Sequence, residues 1–305
     1  MPQLDSGNLE RLRTAVLGWY RRHGRTLPWR GDNDPYTVLI SEIMLQQTQV
    51  NRVLVKLPLF LAAFPSMKDL SKAPQRAVVS AWRGMGYNNR AVRLHRLSRL
   101  VMERHRGRLP VNAEELRTLP GVGRYTSHAI LAFAFRKPVP VVDVNVRRLL
   151  SRLFWRLPDT GSVRPENEIW SLAGLILPDR RQYDWNQALM DLGATVCTAR
   201  SPRCTDCPVV RLCRSAGKMK PRSASSSRTE PLRHGLPNRI HRGRIIDALR
   251  GRKRPLPLTL LGPMLTPRFS PADVSWLREL VQALEKDGLV TVKPGQPGVL
   301  RVSLA

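Results

Sequence analysis

Pro120-Gly121-Val122-Gly123 breaks the chain between two helical stretches, and it limits the possible folds more than any other feature. Asn112 to Thr118 reads as a short polar-faced helix. Pro120 ends it, because the ring cannot continue the hydrogen-bond ladder. Gly121 and Gly123 allow positive φ and the close approach of another backbone. From Tyr125 a helical period resumes through Ile130, Leu131, Phe133 and Ala134. The product is helix, glycine hairpin, helix. Such a hairpin aims backbone N–H groups and a helix N-terminus outward, which suits a phosphate. Taken alone, it fits an ordinary helix–helix turn equally well.

Charge points to a polyanion. The 305 residues carry a formal net charge of +28, with a pI near 11.5. The simplest partner is nucleic acid, although an Arg-rich proteome would explain part of the excess. No apolar run reaches the length of a membrane span, and the N-terminus lacks a basic-then-apolar leader, so a soluble intracellular protein is expected. All four cysteines fall between Cys197 and Cys213. Inside a cell such clustering favours a metal centre over disulfides. The Cys-x2-Cys pair within it is compatible with zinc.

Residues 7 to 23 have an amphipathic helical period, and Gly24 stops it. After a loop holding Trp29 and Arg30, Asp34-Pro35 opens a helix that carries Glu42 among apolar neighbours. A carboxylate there must be paired, protonated or functional. A structural ion pair is the plain reading. Burial would also raise its pKa into the range of a general acid. Residues 51 to 110 are mostly helical, with breaks at Pro65 and Pro74, and Gly84-Met85-Gly86-Tyr87 interrupts them again. Tyr87 suits a stacking wedge or simple packing. Further helices are expected over 145–156, over 165–177 and from Asn186 to Val196. No strand alternation precedes residue 255, so the first 215 or so residues read as all-α. Lys218 to Arg239 reads as a basic linker. A helix over 240–250 and a helix capped by Ser270 follow, then short strands at Leu289–Val292 and Val299–Val302, which suggest a small winged-helix-like module. That module has two open readings, DNA contact or packing on the main domain.

Several of these stretches together resemble one family. Leu119 to Thr126 is similar to the helix–hairpin–helix of the DNA glycosylase superfamily, and Val141-Val142-Asp143-Val144-Asn145 to the segment that carries its aspartate. Ser41 to Val50, Gly84 to Tyr87 and Asn186 to Ala194 resemble the signatures of the MutY branch. Cys197-x6-Cys204-x2-Cys207-x5-Cys213 looks like the 4Fe–4S loop of endonuclease III and MutY. The resemblance covers about the first 215 residues. It implies a two-lobed glycosylase domain over 1–217, with a six-helix lobe at about 34–142 and a cluster lobe of 1–33 with 143–217. A flexible linker over 218–239 and the module over 240–305 would follow.

By the same resemblance the chain is a base-excision enzyme that flips out and hydrolyses adenine mispaired with 8-oxoguanine or guanine. Glu42 would protonate the adenine ring and Asp143 would stabilise the sugar cation, with Tyr125 and Asn145 in support. Two carboxylates of unequal pKa suit breakage of a glycosidic bond, with Glu42 the raised member and Asp143 the ionised one. Trp29, Arg30, Leu45 and Gln187 would line the base pocket. Gln47 and Tyr87 would wedge into the duplex, and Gly121, Gly123 and Arg124 would meet its backbone. Cys197, Cys204, Cys207 and Cys213 would hold a 4Fe–4S cluster in preference to zinc. The partner is mismatched double-stranded DNA, and the protein is expected to be a monomer at the bacterial nucleoid.

Lyase relatives carry a nucleophilic lysine two residues past the last hairpin glycine. Tyr125 stands there, so a monofunctional enzyme is expected. The tail is shorter than the usual 8-oxoguanine-recognition domain and reads differently, as in truncated MutY-like proteins. Asn88 replaces a second aromatic. Two rivals are a thymine glycosylase acting on G:T mismatches and a non-enzymatic iron–sulfur DNA-binding protein.

Overall fold

The computed structural model describes residues 5–221, 230–295 and 299–305. Helices dominate. In chain order they are α1 (Ser6–His23), α2 (Pro35–Leu45), α3 (Val50–Ala63), α4 (Met67–Lys72), α5 (Gln75–Ala81), α6 (Asn89–His105), α7 (Ala113–Arg117), α8 (Arg124–Phe133), α9 (Val144–Phe154), α10 (Glu166–Leu175) and α11 (Gln182–Thr195). After the cysteine loop come β1 (Leu232–Arg233), β2 (Leu236–Pro237), α12 (Asn238–Leu249), β3 (Leu256–Pro257), α13 (Leu258–Leu265), α14 (Val274–Lys286), β4 (Val290–Pro294) and β5 (Leu300–Leu304).

Local chemistry sets most of these boundaries. Asp5 caps α1 by accepting the Gly7 N–H, and Asn112 caps α7 by accepting the N–H groups of Glu114 and Glu115. Each such cap satisfies donors that a helix start leaves orphaned. Ser270 and Asp273 form a reciprocal capping box ahead of α14.

Two compact units emerge. The first takes the described residues of 1–39, 110–118 and 122–227. Its core packs α1 and α9 on α11, with Val16, Leu150, Ile169, Trp185 and Leu192 fully enclosed. Gly193 permits the α9–α11 approach: a Cβ there would lie 2.8 Å from the Asn145 carbonyl oxygen.

The second unit takes 40–109, 119–121 and the described residues of 228–305. Its α4 and α5 pack on α6. Its C-terminal part is α12, α13 and α14 against a sheet of order β3-β5-β4, antiparallel throughout, with Val292 opposite Val302. That part is tied to the helices before it. Gln75 Nε2 donates to the Gly288 carbonyl at 2.8 Å, and Arg250 Nη2 donates to the Val79 carbonyl at 3.0 Å.

Two details differ from the sequence reading. Strand pairing begins before residue 255, because β1 and β2 form a small antiparallel hairpin. That hairpin turns at His234 and Gly235, both at positive φ, and carries no apolar alternation that could announce it. The stretch read as a linker therefore contains structure from Leu232, and α12 begins at Asn238; the linker's residues 222–229 lie outside the described residues. In the hairpin Gly121 uses the positive φ open to it, at +85°, and Gly123 is extended at φ −97°.

Candidate functional site

The hairpin is built by its flanks. Leu119 and Val122 are buried, anchoring a turn whose Gly121 adopts a conformation closed to most side chains. Gln46 Nε2 donates to the Gly121 carbonyl at 3.4 Å. Gly123 is the residue before α8, and nothing lies within 4 Å of where its Cβ would stand. Open space thus fronts a helix N-terminus. Arg124 is exposed beside it, its guanidinium 4.2 Å from the Trp170 ring centroid. Tyr125 is half-buried in the first turn of α8.

Asp143 sits where an extended segment becomes α9. Asn186 clamps that segment: its Oδ1 accepts the Val141 N–H at 3.0 Å, and its Nδ2 donates to the Val139 carbonyl at 2.9 Å. One Asp143 carboxylate oxygen accepts the Val146 N–H and the other accepts Asn145 Nδ2, each at 2.7 Å. Asn145 is itself held by Arg148 Nη2 at 2.9 Å. Arg148 also donates to the carbonyls of Gly193 and Cys197, at 2.6 and 2.9 Å. A continuous hydrogen-bonded path therefore runs from the carboxylate to the cysteine loop. Burial pushes the Asp143 carboxyl above the ordinary range, while the hydrogen bonds from Val146 and Asn145 and the Arg148 charge oppose that rise. Desolvation at an inset helix terminus outweighs the donors.

The expected base-pocket residues on this unit are enclosed. Trp29 and Gln187 are buried. The Arg30 guanidinium is committed to Asp191, with two bonds of 2.7 Å, and Arg25 joins the same carboxylate. Burial alone would raise the Asp191 carboxyl, but Arg30 and Arg25 outweigh it and hold it below the usual range.

On the second unit, Glu42 is 4 % exposed within α2. Leu45 is half-buried at the end of that helix. Gln47 and Tyr87 are both exposed and both at positive φ, 55° and 44°, which is strained for such residues. One buried cation holds their two loops. Arg90 Nη1 donates to the carbonyls of Ile43, Met44 and Gln46. Its Nη2 reaches Thr48 Oγ1 at 2.9 Å and the carbonyls of Met85 and Gly86 at 3.0 and 3.2 Å. Burial pulls the Arg90 pKa down to about 10, so it is still charged at neutral pH. Sequence reasoning missed Arg90, Asp191 and Arg148. A lone Arg on a helix gives no signal when its partners are distant carbonyls.

The four cysteines line one apolar cavity, walled also by Leu149, Leu153, Val196 and Val209. Burial pushes the Cys207 thiol up to about 11 and raises Cys213. The sulfurs nevertheless accept backbone N–H groups, Val209 to Cys207 and Ser215 and Ala216 to Cys213. Arg152, 1 % exposed, reaches Cys197 Sγ at 3.4 Å and the carbonyls of Thr198 and Ala199. N–H donors and a guanidinium aimed at sulfur favour thiolates. Among the described residues no three His, Cys, Asp or Glu side chains are placed to hold a single metal ion. The thiols stand around a space, and this donor set fits a multi-iron cluster.

The glycine hairpin at a helix start and the helix-capping aspartate both lie in a stretch that matches a base-excision DNA repair family of the helix–hairpin–helix class. Residues 40–173 match the model of the HhH-GPD superfamily base excision DNA repair protein. Among solved structures, a thermostable thymine-DNA glycosylase aligns with a TM-score of 0.62 at 31 % identity, over 68 % of this chain and 97 % of that one. An endonuclease III–DNA covalent intermediate aligns with a TM-score of 0.59 at 24 % identity, over 70 % and 98 %, a likeness of fold. The adenine DNA glycosylase of Mycobacterium tuberculosis (strain ATCC 25618 / H37Rv) is 38 % identical over 286 residues, 91 % of this chain and 90 % of that protein. The Homo sapiens adenine DNA glycosylase is 40 % identical over 225 residues, 71 % of this chain and 41 % of its own. The chain belongs to the adenine DNA glycosylase family of the HhH-GPD superfamily.

Proposed function

We propose that this enzyme excises adenine mispaired with 8-oxoguanine or guanine from duplex DNA, by hydrolysis and without a lyase step. The observation that carries the chemistry is Asp143, a carboxylate fixed at a helix N-terminus by Val146 and Asn145. Similarity to adenine DNA glycosylases along 91 % of the chain supports the choice of base.

A stacked base is out of reach, so it must first leave the helix. Gln47 and Tyr87, exposed on loops that Arg90 locks, are suited to fill the gap. Trp29, Arg30, Leu45 and Gln187 receive the base. Adenine leaves poorly as an anion. Glu42 gives a proton to a ring nitrogen as the C1′–N bond breaks and the bonding pair goes to the base. Asp143 stabilises the oxocarbenium-like sugar, Asn145 and Tyr125 support it, and water adds to C1′ with loss of a proton. Tyr125 forms no imine, so an abasic site is the product. Gly121, Gly123 and Arg124 hold the phosphate backbone. Cys197, Cys204, Cys207 and Cys213 would hold a 4Fe–4S cluster, and the loop so fixed would present Arg200, Arg203 and Arg211 to phosphates. Among the described residues no helix is long and apolar enough to cross a membrane.

The test is single-turnover excision from duplexes with A opposite 8-oxoguanine, A opposite G and T opposite G, with alkali added to reveal abasic sites. Adenine release is expected, lost in Glu42→Gln and Asp143→Asn. Release of thymine alone, or strand cleavage without alkali by pure enzyme, would overturn the proposal.

A further inference from the structure

The turn after α12 carries three consecutive exposed cations. Arg250, the residue following that helix, is folded inward with its side chain 10 % exposed. Its Nη2 donates to the Val79 carbonyl at 3.0 Å and to Asn88 Oδ1 at 3.4 Å, and its Nη1 pairs with Asp247. Asn88 is the residue after Tyr87. The C-terminal part of the chain is therefore fastened directly to the loop that presents the wedge. Gly251, at φ +74°, then reverses the chain, and Arg252, Lys253 and Arg254 follow, all exposed.

These three cations have little to hold them. Arg252 bonds to the Ala248 carbonyl at 2.8 Å and touches Met264 Sδ at 3.8 Å. Lys253 and Arg254 make no hydrogen bond or ion pair among the described residues. Asp247, on α12, is taken by Arg250 and lies 4.0 Å from Arg83, itself exposed. Like charges gathered without counter-charge repel one another, and a polyanion relieves that repulsion. Reach is adequate: the four residues from Gly251 to Arg254 extend at most about 14 Å from Arg250, and duplex DNA carries a charge about every 1.7 Å of its axis.

The geometry points to the Arg252-Lys253-Arg254 turn as a phosphate-binding element that grips the DNA backbone beside the step opened by Tyr87. The C-terminal part would thus extend the duplex-binding surface from the wedge loop. The inference rests on the wedge role proposed for Tyr87.

The test uses the full chain and a duplex with a non-cleavable adenine analogue opposite 8-oxoguanine, with Kd measured by anisotropy across a salt series. The variant is Arg252→Ala/Lys253→Ala/Arg254→Ala. The control is Arg11→Ala/Arg21→Ala/Arg22→Ala, an equal loss of charge from exposed positions on α1. For every phosphate that the protein no longer neutralises, the slope of log K against log salt should become shallower by about 0.9. A change of about 2–3 is therefore expected for the turn variant, and under 1 for the control. Hydroxyl-radical footprinting should lose protection at phosphates flanking the mispair in the turn variant alone. An unchanged slope, or equal changes in both variants, would overturn the inference. Wild-type protein that binds with a normal slope but releases no adenine from the matching cleavable duplex would instead sink the excision reading and leave the surface standing.

Discussion

Replacing Gly193 by alanine should damage catalysis more than stability. Gly193 lies on α11, where α9 crosses it. The new Cβ would stand 2.8 Å from the Asn145 carbonyl oxygen and 2.9 Å from its carbonyl carbon and Cβ, against 3.4 Å for ordinary contact. The first turn of α9 must retreat by about 0.6 Å or tilt. In a helix interior alanine gains about 1 kcal/mol over glycine. Overpacking costs roughly 1–3 kcal/mol. The net loss is thus about 0–2 kcal/mol, a fall of Tm of no more than about 8 °C. The displaced turn, however, carries Asn145, and Asn145 and the Val146 N–H hold both oxygens of Asp143 at 2.7 Å. Misplacing a reacting group by 1 Å can cost about 10²-fold, so a roughly 10- to 100-fold drop in single-turnover excision is expected, with DNA affinity near wild type. A variant that melts higher than wild type and excises at the wild-type rate would refute the reasoning, because it would mean that the two helices separate freely without moving Asp143.

Asp191→Asn breaks the buried pair with Arg30 and Arg25 and should destabilise the protein by about 3–5 kcal/mol. Because the folded Asp191 carboxyl lies below its unfolded value, its stabilisation is complete above about pH 4 and fades as pH falls through the folded pKa. The variant's Tm should therefore depend less on pH below 4, and parallel melting curves would contradict this. Arg90→Gln leaves several carbonyls without their donor and should cost about 3 kcal/mol. Amides of the two loops should exchange faster, and unchanged protection there would count against Arg90 as their common support. Cys204→Ser should lower bound iron and the visible absorption of an iron–sulfur centre, whereas full iron content would argue against a four-cysteine cluster.

Local rules made much of the molecule legible. Pro120 and the glycines announced the hairpin, and α8 begins within a residue of the expected position. Ser270 announced its capping box. Glu42 stood out because a carboxylate among apolar neighbours is costly, and it is buried. The β1–β2 hairpin escaped because two-residue strands have no period to read.

What the sequence determined by itself are the features that depend on neighbours along the chain: helix periods, caps and the cysteine spacing. The tertiary structure alone decided which carbonyls Arg90 gathers, that Asp191 takes Arg30, that Arg148 links Asn145 to the cysteine loop, and that Gly193 lets α9 approach α11. The reason is physical. A backbone carbonyl has the same chemistry at every position, so a buried cation's choice among them is fixed only when packing brings distant segments together.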